Sequence, residues 1–141
     1  MSMNIEEIIE NFEFLDDWDD RYKYLIELGG MLDPMPAEDR TATNKVQGCV
    51  SQVWLTSKTG SDEADPIMYF KGASDAHIVS GLVAIALAIF DGKPASQVLA
   101  TDEKAIFDRI NLSEHITPQR SNGLQSLVQR IKQEAGRAIA A

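Results

Sequence analysis

The chain has 141 residues, 44% of them hydrophobic, which predicts one domain over residues 1–141 with a real core. Its net charge of −9 disfavours binding to nucleic acid or to an anionic membrane surface. It has one cysteine, Cys49, which excludes an internal disulfide and a cysteine-rich zinc site and suits a reducing compartment.

The first twenty residues are acidic and argue against a targeting signal. They hold eight carboxylates and no basic residue, whereas secretory signals begin with basic residues and transit peptides are poor in acids. The longest apolar stretch, residues 78–90, is shorter than the about 20 residues that span a bilayer. We therefore expect a soluble, cytoplasmic protein that binds neither nucleic acid nor membrane.

Helical periodicity marks the N-terminal region. Apolar residues recur at three- and four-residue spacing within residues 5–12, and Asn4 is a suitable N-cap for this helix. A second amphipathic helix is predicted from Trp18 to a glycine pair at residues 29–30. Two helices therefore precede any strand.

The pattern then changes to that of strands. Prolines and polar residues predict loops and turns over residues 31–44. β-Branched and aromatic residues predict a strand at residues 50–56 and another at 66–71, the second closed by Gly72. The polar residues 60–65 between them predict a hairpin loop, so the two strands are expected to pair in antiparallel fashion.

Helices are predicted again in the C-terminal half. Residues 78–90 are apolar nearly all round, as in a helix that runs through a core, and Ser74 or Asp75 is expected to cap it. Residues 91–94 end that helix. The order of helices, a small antiparallel sheet and helices indicates a single α+β domain. Further helices are predicted at residues 95–99, at residues 103–109 and from Ser121 onwards.

Cys49 lies at the predicted entry to the first strand, directly after Gly48. A glycine at this place permits a positive φ and presents the neighbouring thiol on a loop. A free cysteine is also often a small buried apolar residue, and both interpretations stay open. The apolar residues Val46, Val50 and Val53 predict that Cys49 is shielded in the isolated protein and that its loop moves out on docking.

Other chemistry-bearing residues allow weaker hypotheses. His77 or His115 could act as the base of a cysteine-dependent hydrolase with Cys49 as nucleophile. A thiolate needs a nearby cation, for which Lys45 is a candidate. The acidic residues 16–20 lack the glycine and the terminal acid of a calcium loop, and the histidines lack metal-ligand spacing, so no metal is expected. A third hypothesis is an interaction module whose acidic face binds a basic partner.

Several blocks together resemble the SufE family of sulfur acceptor proteins. They follow the family's order over about residues 5–135, and the block around the cysteine is the most specific of them. The blocks are Arg21-Tyr22 with Leu25-Ile26-Glu27-Leu28-Gly29, Val46-Gln47-Gly48-Cys49, Ser51-Gln52-Val53-Trp54, Ser74-Asp75-Ala76 with Ile78-Val79 and Gly81-Leu82, and His115 with Thr117-Pro118, Arg120 and Gly123-Leu124.

The resemblance implies a SufE/NifU-like fold and a role in sulfur transfer. A pyridoxal-phosphate-dependent cysteine desulfurase of the SufS or CsdA type would pass persulfide sulfur to the chain. The sulfur would then go to an iron–sulfur scaffold complex. On this basis the protein is a partner and activator of the desulfurase, not a stand-alone enzyme, and it needs no cofactor of its own. One thiol suits a carrier, because a cluster scaffold needs several ligands.

The resemblance also assigns site residues. Cys49 is the persulfide acceptor, and Arg120 and Asp75 are expected near its loop, where Arg120 would hold the loop or stabilise the thiolate. Ordinary structural roles, a salt bridge for Arg120 and a helix cap for Asp75, stay open. Residues expected to shape or position the loop are Gly48, Ser51, Gln52 and His115.

Overall fold

The fold is built around the apolar segment that the sequence predicts as a buried helix. In the computed structural model, which describes residues 4–49, 51–60, 64–112 and 116–140, this segment is helix α3 (His77–Phe90). It packs against helix α2, strand β2 and the last helix, α6. The other elements in chain order are α1 (Ile5–Phe14), α2 (Trp18–Gly30), a 3₁₀ turn (Ala37–Asp39), β1 (Val53–Thr59), β2 (Ile67–Ser74), β3 (Lys93–Pro94), α4 (Ala95–Ala100), α5 (Glu103–Arg109) and α6 (Pro118–Ala140).

Helices α1 and α2 begin at the caps that side-chain chemistry dictates. The Asn4 side chain accepts the backbone N–H of Glu6 at 2.8 Å, as the sequence predicts. Asp17 accepts the N–H of Asp19 at 3.0 Å in the same way at the start of α2. Helix α2 then packs closely on α3, because Gly81 has no side chain to collide with the backbone carbonyl of Leu25.

The three strands form an antiparallel sheet in the order β1-β2-β3. Leu55 of β1 lies opposite Gly72 of β2, and Met68 lies opposite Lys93 of β3. One face of the sheet contributes to the main core with α3. The other face carries Trp54, which is buried with Met35 from the preceding loop. The predicted α+β class, with a small antiparallel sheet flanked by helices, is confirmed.

Several elements differ from the sequence prediction. β1 begins at Val53, three residues later than predicted, and β2 continues past Gly72 to Ser74. The segment predicted only to end α3 also forms the short strand β3, whose pairing with β2 no local pattern encodes. Helix α6 begins at Pro118, before Ser121, because proline fits the first helical turn and Thr117 caps it.

The predicted cap of α3 is wrong. The N-cap position is occupied by Ala76, and no side chain caps the helix there. Ser74 bonds instead to the N–H of Ala76 at 3.2 Å, within the turn. The Asp75 carboxylate is engaged elsewhere, on the backbone of Gln52. Asp75 bonds to Gln52, 23 residues away in sequence, instead of capping the helix, and the local sequence does not reveal this partner.

Some predicted features lie outside the described residues. They are His115, Val50 and the middle of the hairpin loop at residues 60–65. Across the ranges that are described, no helix is long and apolar enough to cross a membrane.

Candidate functional site

Cys49 lies at the tip of a second, smaller hairpin that leads into β1. The N–H of Val46 donates to the carbonyl of Val53 at 2.8 Å, and the N–H of Leu55 donates to the carbonyl of Asn44 at 2.9 Å. These bonds pair residues 44–46 with residues 53–55. We call residues 44–49 and 51–55 the cysteine hairpin, and residues 47–49 with 51 and 52 its tip.

Gly48 adopts a backbone conformation that favours glycine. Its φ is +90°, and a Cβ at this position would lie only 2.5 Å from the Ser126 hydroxyl of α6. The dihedral angle therefore favours glycine, and a side chain here would also displace the Ser126 hydroxyl. The positive φ that a glycine permits at this place is present in the structure.

The Cys49 thiol is half-buried against helix α6. Its Sγ donates to the backbone carbonyl of Gly123 at 3.5 Å. Beside it is a cavity of about 30 Å³, whose lining is mostly apolar. The apolar side chains around the cavity come from β1, α3 and α6, and they are Val53, Val79, Leu82, Val83, Leu124 and Leu127.

Burial and a nearby charge act on the thiol in opposite directions. Burial raises the pKa of Cys49 above its ordinary value, because a thiolate is poorly solvated among apolar side chains. The ammonium of Lys45 lowers the same pKa, by the smaller amount. The net pKa is raised, so the cysteine at rest is a neutral thiol at physiological pH.

Arg120 and Ser51 lie at the same cavity as Cys49. Both line it together with Gln119, and both are partly buried. The backbone N–H of Arg120 donates to the Thr117 hydroxyl at 3.2 Å. Among the residues that the structure describes, no hydrogen bond or ion pair engages the Arg120 guanidinium, which leaves it available to an anion at the cavity.

Asp75 ties the outgoing end of the tip to β2. Its carboxylate accepts the N–H of Gln52 at 3.1 Å, and its own N–H donates to the carbonyl of Gln52 at 3.3 Å. This pair of bonds continues the β1–β2 pairing by one step beyond Val53 and Ser74. Asp75 therefore contacts the backbone of the cysteine hairpin and not the thiol.

His77, one of the two candidate bases of the hydrolase hypothesis, does not lie beside the Cys49 thiol. His77 is exposed at the first turn of α3 and does not line the cavity. The hydrogen bond of Cys49 goes to a carbonyl and not to an imidazole. Within the described ranges, no group of three or more His, Cys, Asp or Glu side chains could hold a metal ion.

Two residues of the site escape the sequence reasoning. Gly123 appears there only as part of a family block, yet its carbonyl accepts the thiol. Arg130 is not singled out at all, yet it donates to the backbone carbonyl of Lys45 in the cysteine hairpin. The spacing of Arg120, Gly123, Leu124 and Leu127 could have placed them on one helix face, had α6 been predicted to start at Pro118.

Comparison with known proteins identifies close relatives of the chain. A family profile described as "SufE: Fe-S metabolism associated domain" matches residues 6–135. A protein of Rhizobium etli described as "Uncharacterized SufE-like protein" is 56% identical over 132 residues, which cover 94% of this chain and 89% of that one. A protein of Rhizobium meliloti with the same description is 55% identical over 132 residues, 94% of each chain.

A solved structure also shares the fold. The solution structure of a hypothetical protein from Thermus thermophilus superposes with a TM-score of 0.75, covering 97% of this chain and 96% of that one at 18% identity. Relatives with more than half of their residues identical, together with a family profile that spans most of the chain, establish the relationship predicted from the motifs. The chain belongs to the SufE family, whose domain is associated with Fe–S metabolism.

Proposed function

We propose that this protein accepts persulfide sulfur on Cys49 from a pyridoxal-phosphate-dependent cysteine desulfurase and passes it to an iron–sulfur scaffold complex. The observation that carries the proposal is the position of Cys49 at a hairpin tip, with its thiol at an apolar cavity. Cys49 is the only cysteine in the chain. Membership of a family associated with Fe–S metabolism supports the same role.

The transfer is an exchange between a persulfide and a thiolate. The Cys49 thiolate attacks the terminal sulfur of the persulfide on the desulfurase cysteine, and a new S–S bond forms on Cys49. The S–S bond of the donor breaks, and the donor cysteine leaves as a thiolate. The proton on the transferred sulfur stays with it, so the reaction needs neither oxidant nor reductant.

A single cysteine suits a carrier of one sulfur atom. A second thiol nearby would attack the loaded persulfide and release the sulfur as sulfide, leaving a disulfide. With no second cysteine in the chain, that reaction cannot occur within the molecule. A loaded sulfur that lies in the apolar cavity beside Sγ would also be shielded from soluble thiols.

Transfer requires the tip of the cysteine hairpin to move outward. The thiol is half-buried, whereas attack requires contact with a sulfur atom held by another protein. Outside the cavity, the burial that raises the pKa of Cys49 is removed, so the thiolate forms more readily. Gly48 provides a flexible position within the tip.

The neighbouring residues have separate roles in this proposal. Arg120, at the cavity, stabilises the thiolate and the anionic sulfur groups of the transfer, because guanidinium binds anions strongly. Asp75 fixes the backbone of Gln52 and so positions the outgoing end of the tip. Ser51 shapes the cavity wall, and His115 keeps the positioning role that the family resemblance gives it.

The same reaction explains activation of the desulfurase. A desulfurase whose cysteine carries a persulfide cannot begin another turnover until the sulfur has left. An acceptor that removes the sulfur therefore raises turnover without taking part in the cleavage of the substrate cysteine. Desulfurases of the SufS and CsdA types are the candidate partners.

The proposal is tested by measuring desulfurase turnover with and without the protein. We expect the wild-type chain to stimulate a cognate desulfurase and Cys49→Ser to give no stimulation. Circular dichroism of Cys49→Ser should match that of the wild type, because serine replaces the thiol with little change in volume. Full stimulation by a folded Cys49→Ser variant would refute the role of Cys49.

A further inference from the structure

Arg130 connects helix α6 to the segment that leads into the tip of the cysteine hairpin. Its Nη2 donates to the backbone carbonyl of Thr43 at 2.8 Å, and its Nη1 donates to the carbonyl of Lys45 at 3.4 Å. Thr43 and Lys45 lie just before the tip, more than eighty residues away in sequence. One guanidinium therefore holds two backbone carbonyls of the segment that enters the hairpin.

Glu134 holds this guanidinium in place. Its Oε1 lies 3.1 Å from Nε of Arg130, one turn earlier on α6, and its Oε2 accepts the Ser57 hydroxyl of β1 at 3.3 Å. The side chains of Arg130 and Glu134 are only 21% and 19% exposed. A charge-assisted pair that is mostly shielded from water holds its geometry better than one on the surface.

We propose that Arg130 is a positioning residue that fixes the base of the cysteine hairpin on α6, so that the base stays in place when Cys49 leaves its cavity. Arg130 holds the incoming end of the hairpin, and Asp75 holds the outgoing end at Gln52. Between these two anchors, the Cys49 thiol donates to the Gly123 carbonyl. The relevance of this motion to sulfur transfer rests on the proposed function, whereas the anchoring itself does not.

The anchor also acts on the thiol through Lys45. The ammonium of Lys45 lowers the pKa of Cys49, and Arg130 holds the backbone of the same lysine. Fixing the base of the hairpin on α6 therefore maintains both the cavity around the thiol and the position of Lys45 near it. Loss of the anchor loosens both the cavity and the position of Lys45. Because burial has the larger effect on the pKa of Cys49, its loss should lower that pKa.

Arg130→Gln tests the proposal, with Arg137→Gln as the matched control. Arg137 lies on the same helix and also pairs with Glu134, at 3.0 Å, but it is 70% exposed and has no bond to the described residues of the hairpin. Both variants lose one positive charge. The measurement is the rate of Cys49 alkylation by iodoacetamide across a pH series, in the full-length chain.

We expect alkylation of Arg130→Gln to be roughly fivefold faster than that of the wild type, as loss of hydrogen bonds of ordinary strength allows more frequent opening. The midpoint of its pH profile should move down towards that of a free cysteine. Arg137→Gln should match the wild type in both rate and midpoint. A folded Arg130→Gln variant with a wild-type rate and midpoint would overturn the proposal, as would an equal change in Arg137→Gln.

Amide hydrogen exchange in the wild-type protein tests the same proposal without any substitution. The N–H groups of Val46 and Leu55, which pair the base of the hairpin, should exchange much more slowly than that of Gln47 in the tip. Equal exchange rates in base and tip would contradict the proposal, even if Arg130→Gln failed to fold. Wild-type protein that takes no sulfur from a desulfurase would refute the proposed function and leave these results on the anchor unchanged.

Discussion

The Sγ atom of Cys49 lies 3.5 Å from the backbone carbonyl oxygen of Gly123 in helix α6. A carbonyl oxygen accepts a hydrogen from a neutral thiol but repels a thiolate, since both then carry negative charge. Burial disfavours the thiolate for a separate reason. The resting position of Cys49 therefore favours the neutral thiol over the thiolate.

Enlarging residue 123 should drive Cys49 out of its cavity. A Cβ on Gly123 would lie 3.4 Å from Sγ of Cys49, so the further methyl groups of valine would displace the thiol. We predict that Gly123→Val makes alkylation of Cys49 in the isolated protein several-fold faster, roughly the effect of about 1 kcal/mol on the opening equilibrium. In the wild type, alkylation should be slower than that of a model thiol.

Gly136→Val is the control for this substitution. Gly136 is also in α6, and a Cβ there would have no atom within 4 Å. Both variants carry the same helix-propensity change, yet only Gly123→Val contacts the thiol. A folded Gly123→Val variant in which Cys49 is alkylated at the wild-type rate would show that the cavity does not shield Cys49.

Alkaline pH should destabilise the wild-type protein more than Cys49→Ser. The folded-state pKa of Cys49 is raised by burial, so between the unfolded and folded pKa values the native state holds a proton that the unfolded chain has lost. The contribution is fully present below the unfolded pKa of about 8.5 and is lost as pH rises through the folded pKa. Urea unfolding under reducing conditions, at a series of pH values, measures this difference. Parallel pH dependence in the two proteins would contradict it.

Removing the Asp75 carboxylate should loosen the outgoing end of the tip. Asp75→Ala loses the acceptor for the Gln52 N–H, whereas Asp75→Asn keeps a carbonyl oxygen at the same place. We predict that Asp75→Ala lowers the free energy of unfolding by about 1 kcal/mol and accelerates amide exchange at Gln52, while Asp75→Asn has a smaller effect on both. Equal behaviour of the two variants would mean that the bond to Gln52 contributes nothing.

Replacing Arg120 should reduce sulfur transfer without harming the fold. Arg120 lines the cavity and its guanidinium is not bonded to other described residues, so its loss should cost little stability. We predict that Arg120→Gln lowers stimulation of the desulfurase roughly tenfold at saturating protein, because a cation near the reacting sulfurs is lost. Arg120→Lys should recover part of the stimulation. A variant that stimulates fully would limit Arg120 to a structural role.

Periodicity and capping chemistry predict most helices of this fold. Residues 103–109 and the segments of α1, α2 and α3 carry their signals locally, as a repeat of apolar residues between a cap and a break. The sequence also contains a local signal for the start of α6, because Thr117 can act as the N-cap and Pro118 fits the first turn. With a start predicted at Ser121, Arg120 lies outside the helix. The helix face that Arg120 shares with Gly123 is then not recognised.

The sheet and the anchors were less predictable, because their partners are far apart in sequence. Gly72 reads as the end of a strand, yet it lies within β2, where a Cβ would collide with Val83 of α3. Asp75 reads as a helix cap, yet its carboxylate bonds to Gln52. Arg130 reads as an ordinary charge on an amphipathic helix, and only the packing of α6 on the cysteine hairpin reveals its two carbonyl partners.

The position of the sulfur after transfer is the most direct test of the proposed function. Wild-type protein and Cys49→Ser would each be incubated with a cysteine desulfurase and free cysteine, and then analysed by mass spectrometry without reductant. We predict that the wild type gains the mass of one sulfur atom, that fragmentation locates it on Cys49, and that Cys49→Ser gains none. A desulfurase that turns over normally while Cys49 stays unmodified would contradict the assignment of this protein as a sulfur acceptor.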